Sequence, residues 1–141
     1  MKLLIVILLI FLDFFSKKII FNFIELNQLI SFIPFIDITH IHNYGIAFGL
    51  FSGFTNLLII ASIVGIGVAL YYFQQQKISV IWYRLSIGLI VGGALGNLVD
   101  RLKDGAVVDF ISVGWWPAFN VADSSISVGM VLLILTLLLG E

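Results

Sequence analysis

The chain has 141 residues, of which 61% are hydrophobic and 11% charged, against the quarter charged that is usual in soluble domains. Eight acidic and seven basic residues leave a net charge of -1, which excludes the basic surface of a nucleic-acid binder. There is no cysteine, so disulfides, thiolate metal sites and cysteine nucleophiles are excluded too.

A mean hydropathy of +1.18 is more than one small domain can hide, so much of the apolar surface is expected to face lipid. The length suits a single domain over residues 1–141. A spanning helix needs about 20 largely apolar residues, and four segments qualify: about 2–21, 54–73, 82–101 and 119–139. The first begins with Lys2 and ten apolar residues, like a signal peptide. No small-x-small cleavage site follows, so it is expected to be a retained span. Asp13 and Lys17 lie four apart on one face of it.

The segment from 22 to 53 differs in character. Residues 23–35 suit an amphipathic stretch along the interface. FIDITHIHN (35–43) alternates apolar and polar, as a half-buried strand does, and Tyr44-Gly45 reads as a turn. His40 and His42 flank Ile41 on one strand face and are expected to be partly exposed structural residues. The second span carries no charge, and a short polar loop, QQQKISV (74–80), leads to the third.

The third span ends in a polar cluster: Asn97, Asp100 and Arg101, followed by Asp104 and Asp109. Gly88, Gly92 and Gly96 form a small-residue ridge on which a neighbouring helix can approach closely. Asp100 is expected to pair with its neighbour Arg101, and Asp104 to be solvated in a turn. Residues 102–118 are expected to form a loop, with Trp115 and Trp116 as anchors at the water boundary. In the fourth span Asn120 and Asp123 are three apart.

Successive spans cross in opposite directions. The end of the first, the end of the third and the start of the fourth therefore share one membrane face, together with both non-spanning segments. All the intramembrane polar residues lie there. A charge at the bilayer centre costs at least ~2.5 kcal/mol, so such groups point to function. The count of basic residues does not orient the chain, but an uncleaved first span favours an inner N-terminus and an outer polar face.

Serines such as Ser124 lack a nearby histidine in sequence, and no histidine-rich metal motif occurs. Paired carboxylates remain. Two close aspartates share a proton, so one can activate water while the other protonates the reacting group. Asp13, Asp100, Asp104, Asp109 and Asp123 are the candidates, and the pair Asp109 with Asp123 ranks first on chemistry.

Five blocks carry a resemblance: DFFSK (13–17), HNYGIAFG (42–49), GGALGNLVDR (92–101), VVDFI (107–111) and FNVADSSI (119–126). Together, and in this order, they resemble lipoprotein signal peptidase (signal peptidase II), a bacterial family of intramembrane aspartyl proteases. The resemblance implies an all-α membrane protein of four transmembrane helices in the bacterial cytoplasmic (inner) membrane, with both termini cytoplasmic. It implies an outer-face β-cradle built from part of the segment 22–53. It implies cleavage of prolipoproteins before a diacylglyceryl-modified cysteine, no metal or organic cofactor, and inhibition by the cyclic peptide globomycin. Asp109 and Asp123 match the catalytic pair. Asn97, Arg101 and Asn120 match residues lining the site, Asn43 and Gly45 border the substrate, and Asp13 and Lys17 support the pocket. Asp100 joins this supporting set. The stretch between Asp109 and Asp123 is short for the family, so a different loop over the pair is expected. The reading from another class is a small ion- or proton-coupled transporter, with the same Asp and Lys residues as a relay.

Overall fold

The computed structural model describes residues 2–75 and 81–139, which leaves most of the expected 74–80 loop outside the described residues. Four long helices form where the apolar runs lie: α1 (Lys2–Phe23), α2 (Thr55–Gln75), α3 (Ile81–Asp104) and α4 (Val121–Leu139). α3 packs against each of the other three. Its glycine ridge explains why. A Cβ on Gly92 would meet the Leu9 side chain at 3.0 Å, and one on Gly96 would lie 2.7 Å from Oδ2 of Asp13. Bare backbone at those positions lets α1 settle into contact and brings Asp13 against the polar end of α3. Between the helices, Tyr83, Ile87 and Val91 are buried among Val6, Ile66, Ala69 and Leu133, so all four helices supply the core.

The outer surfaces of the bundle are apolar. Leu3, Ile7 and Phe11 of α1, Ile60, Ile63 and Val64 of α2, and Val131, Leu135 and Leu138 of α4 are all exposed. Among the described residues, α3 and α4 are long and apolar enough to cross a membrane, and α2 holds a shorter apolar helix, Thr55–Tyr71. α1 is interrupted by the charges of Asp13, Lys17 and Lys18.

The chain is not all-α. An antiparallel sheet of order β1-β2-β3-β4 is built from β1 (Leu29–Ile33), β2 (Ile36–Asn43), β3 (Val107–Val113) and β4 (Trp116–Phe119). The cradle expected from residues 22–53 alone thus draws half its strands from 107–119, the stretch expected to be a loop. The physical reason is register. VVDFISV offers a free strand edge that pairs with β2, Asn43 opposite Val107 and Ile41 opposite Asp109. Gly114, at φ +54, turns the chain back into β4. The chain bends at 44–46, as the Tyr44-Gly45 turn leads one to expect, before a short 3-10 turn, Ala47–Gly49. Other boundaries shift modestly. α3 continues to Asp104, which is helical rather than in a turn, and Gly105 at φ +73 ends it. α4 begins after Asn120, because Phe119 still belongs to β4.

Candidate active site

β3 and the first turn of α4 carry the two leading aspartates. Alternation along β3 sends Val107 and Asp109 into one cavity and Val108 into another. Asp109 is 2% exposed. Its Oδ2 accepts from Nδ2 of Asn43 at 2.8 Å and its Oδ1 from Nδ2 of Asn120 at 2.7 Å. Burial, reinforced by the negative charge of Asp123, pushes its carboxyl up to about 7, against the pull of the Asn43 and Asn120 hydrogen bonds and of Lys17.

Asp123 is placed by a helix cap. Asn120 is the N-cap residue of α4, and its Oδ1 accepts from the backbone N of Asp123 at 2.9 Å. In return Oδ2 of Asp123 accepts from the backbone N of Asn120 at 3.3 Å, a capping box with aspartate in the second position. The other oxygen of Asp123 accepts from Nδ2 of Asn97 at 2.7 Å. Asn120 is fully buried and binds both aspartates, Asp123 with its oxygen and Asp109 with its nitrogen.

A buried ion network supports this pair from the α1 side. Nζ of Lys17 donates to Oδ2 of Asp13 at 2.6 Å and to Oδ1 of Asn97 at 3.1 Å, and lies 2.7 Å from Oδ2 of Asp100. With its oxygen held by Lys17, Asn97 must turn its NH2 toward Asp123. Oδ1 of Asp13 accepts from the backbone N of Ala122 at 2.9 Å, satisfying a second free donor at the start of α4. The expected Asp100–Arg101 pair does not form. Adjacent helical residues point about 100° apart, so Asp100 turns to Lys17 while Nη2 of Arg101 donates to the carbonyl oxygen of Gly45 at 2.9 Å. Asp104 is exposed beside Lys103, as expected of a solvated residue.

The bend after β2 explains Asn43 and Gly45. Oδ1 of Asn43 accepts from the backbone N of Gly45 at 2.9 Å, which leaves its NH2 for Asp109. A side chain at Gly45 would overlap the carbonyl of Leu50.

These residues surround a cavity of about 600 Å³, whose wall includes Asn43, Asn97, Arg101, Asp109, Asp123 and Trp116. Of the ten residues singled out in the sequence, Asn43, Asn97, Arg101, Asp109 and Asp123 line it. Asn120, Gly45, Asp13, Lys17 and Asp100 hold those five in place through the bonds above. Trp116 was expected only as an interface anchor, yet it lines the cavity and meets Phe48 edge-on at 5.9 Å between ring centroids. Gly114 was the available signal, since a hairpin there folds Trp116 back beside β3. His40 also departs from expectation: it is 4% exposed, not partly exposed.

The arrangement suits general acid–base chemistry on a bound polar group. One buried carboxyl holds a proton near neutral pH, a second opens on the same cavity, and a guanidinium stands beside both.

Comparison with known proteins agrees. The family model described as signal peptidase (SPase) II matches residues 5–139. The lipoprotein signal peptidase of Wigglesworthia glossinidia brevipalpis is 40% identical over 137 residues, covering 93% of this chain and 90% of that protein. That of Halothermothrix orenii is 40% identical over 134 residues, covering 94% and 92%. A solved bacterial membrane enzyme superposes with a TM-score of 0.91 at 34% identity, over 97% of this chain and 87% of that one. A second gives 0.89 at 34% identity, over 97% and 92%. These matches give no support to the transporter reading. With four helices, a two-aspartate cavity and a family match over nearly its whole length, the chain belongs to the signal peptidase II family of aspartyl-type peptidases.

Proposed function

We propose that Asp109 and Asp123 are the catalytic pair of an endopeptidase that cleaves prolipoproteins before a diacylglyceryl-modified cysteine. The observation that carries this reading is the convergence of two carboxylates from different elements on one cavity, with the side chain of Asn120 bonding the Asp109 carboxylate and the backbone N of Asp123.

In this reading a water molecule lies between the two carboxyls. Asp123 takes its proton as it attacks the scissile carbonyl carbon, and Asp109 gives its proton to the carbonyl oxygen. Collapse of the tetrahedral intermediate returns that proton to Asp109, while Asp123 protonates the departing amine. Arg101 adds positive charge beside the developing oxyanion. Asn97 and Asn43 keep the two carboxylates from rotating out of line.

All four helices span the bacterial cytoplasmic membrane, and the sheet lies at its outer face with the site. The exposed apolar residues of α1 and α2 support this, since lipid is the surrounding that accommodates them. β1 adds Leu29, Ile30, Phe32 and Ile33, all exposed, as an interfacial strip. A site at the boundary suits a substrate whose diacylglyceryl group lies in lipid and whose reacting bond meets water. Globomycin would occupy the same cavity.

The test is to incubate the purified protein with a precursor peptide carrying a diacylglyceryl cysteine and to locate the cut by mass spectrometry. A product beginning at the modified cysteine supports the reading. No cut, or a cut elsewhere, contradicts it.

A further inference from the structure

We propose that His40 and His42 form a two-imidazole site for a divalent transition-metal ion, with His42 lining a second cavity and the buried His40 beside it, separated from Asp109 and Asp123 by the β2–β3 wall. His42 and Val108 line this second cavity, of about 620 Å³, whereas their chain neighbours Asn43, Val107 and Asp109 line the first.

The geometry is that of a chelate. The two residues stand two apart on β2, and their rings meet edge-on at 5.1 Å between centroids. Their Nε2 atoms are 3.2 Å apart. Two metal–nitrogen bonds of about 2.0–2.1 Å place their nitrogens roughly 3.3–3.4 Å apart at a tetrahedral centre and roughly 2.9 Å at a square-planar one. The observed spacing lies between the two. The two nitrogens are therefore spaced as a chelate requires.

The rings are also held as ligands are held. Nδ1 of His40 bonds to the carbonyl oxygen of Ile24 at 2.8 Å. A carbonyl only accepts, so the proton sits on Nδ1 and Nε2 of His40 presents a lone pair. This backbone anchor is the support that metal-bound histidines ordinarily have. Phe21 stacks on His42 at 6.5 Å between centroids and meets His40 edge-on at 5.7 Å, fixing both planes. Without metal, the proton on Nε2 of His42 bridges the two rings. Binding requires His42 to carry its proton on Nδ1 instead, so that its Nε2 presents a lone pair to the ion that takes the bridging proton's place.

Among the described residues no group of three or more His, Cys, Asp or Glu side chains assembles, so the remaining coordination positions belong to water. The site is accordingly exchangeable and selective by ligand type. Imidazole pairs favour Cu²⁺ over Ni²⁺ and Zn²⁺, and leave Mg²⁺ and Ca²⁺ unbound. Three lysines line the same cavity: Lys18 and Lys103 are exposed, which screens their repulsion of a cation, and the buried Lys17 is neutralised by its ion pairs with Asp13 and Asp100.

The test uses the full-length, untagged protein in detergent, titrated with Cu²⁺ and followed by paramagnetic resonance. One ion per chain with a two-nitrogen splitting pattern is expected, together with a rise in unfolding temperature. His42→Ala should weaken binding at least tenfold and abolish the two-nitrogen pattern. Absence of binding, a one-nitrogen pattern in the unaltered protein, or equal binding by His42→Ala would overturn the proposal. The pattern of the unaltered protein decides the matter even if the variant folds poorly.

Discussion

The side-chain NH2 of Asn120 donates to Oδ1 of Asp109 across 2.7 Å, while the oxygen of the same amide caps the helix that carries Asp123. One residue thus sets both carboxyls, and its two jobs can be separated. Asn120→Ala should lose the cap, at about 1 kcal/mol, and with it at least tenfold in kcat. Asn120→Ser can still cap but is too short to bridge to Asp109. It should recover most of the stability in thermal unfolding and little of the activity. Equal recovery of both would show that Asn120 acts through the cap alone.

Burial raises the Asp109 carboxyl from 3.8 to about 7, and this has a sign. A raised carboxyl binds its proton more tightly in the folded state, so its contribution to stability is present below the unfolded value near 4 and is lost as pH rises toward 7. Asp109→Asn should remove this loss, on the order of a few kcal/mol, and flatten the stability profile between pH 4 and 7. In the unaltered enzyme, kcat should fall above about pH 7 as the proton-donating form disappears. A rate that keeps rising from pH 7 to 9 would contradict the role given to Asp109.

Lys17 is the buried cation between Asp13, Asp100 and Asn97. Lys17→Met leaves the buried Asp13 and the half-buried Asp100 without their cation, a loss of about 3–5 kcal/mol in comparable pairs. Adding Asp13→Asn to that variant should restore part of the stability. Activity should stay low in both, because Asn97 keeps only the hydrogen bond from Asn120 on its oxygen and holds Asp123 less firmly. Chemical denaturation together with peptide cleavage measures the two effects.

The absence of cysteine makes orientation easy to read. Ser31→Cys, on exposed β1, should react with an impermeant maleimide added outside intact cells. Gln74→Cys, at the exposed end of α2, should react only after lysis. The reverse pattern would invert the proposed orientation.

Much of this was legible in the sequence. Helix positions follow from long, mostly apolar runs, and parity alone brings Asp13, Lys17, Asn97 and Asp123 to one end of the bundle. The pairing inside the cluster was less legible. Asp100 and Arg101 are neighbours in the chain, yet 100° of helical rotation parts them, and only the packing of α1 on the glycine ridge of α3 gives Asp100 its Lys17. The second hairpin was hidden for a related reason. VVDFISV is too short and too evenly apolar to signal a strand without the β2 edge that completes it. Trp116 reads equally well as an anchor or a wall, and only the hairpin decides.

The central claim is that Asp109 and Asp123 perform the chemistry. Asp109→Asn and Asp123→Asn keep the carboxyl's shape and remove its titratable proton. Each should stay folded, still gain thermal stability with globomycin, and lose cleavage of a diacylglyceryl-modified precursor peptide by at least a thousandfold, on the order of what general acid–base groups contribute. Near-normal cleavage by either variant would contradict the account and turn attention to Asp100 and Asp13.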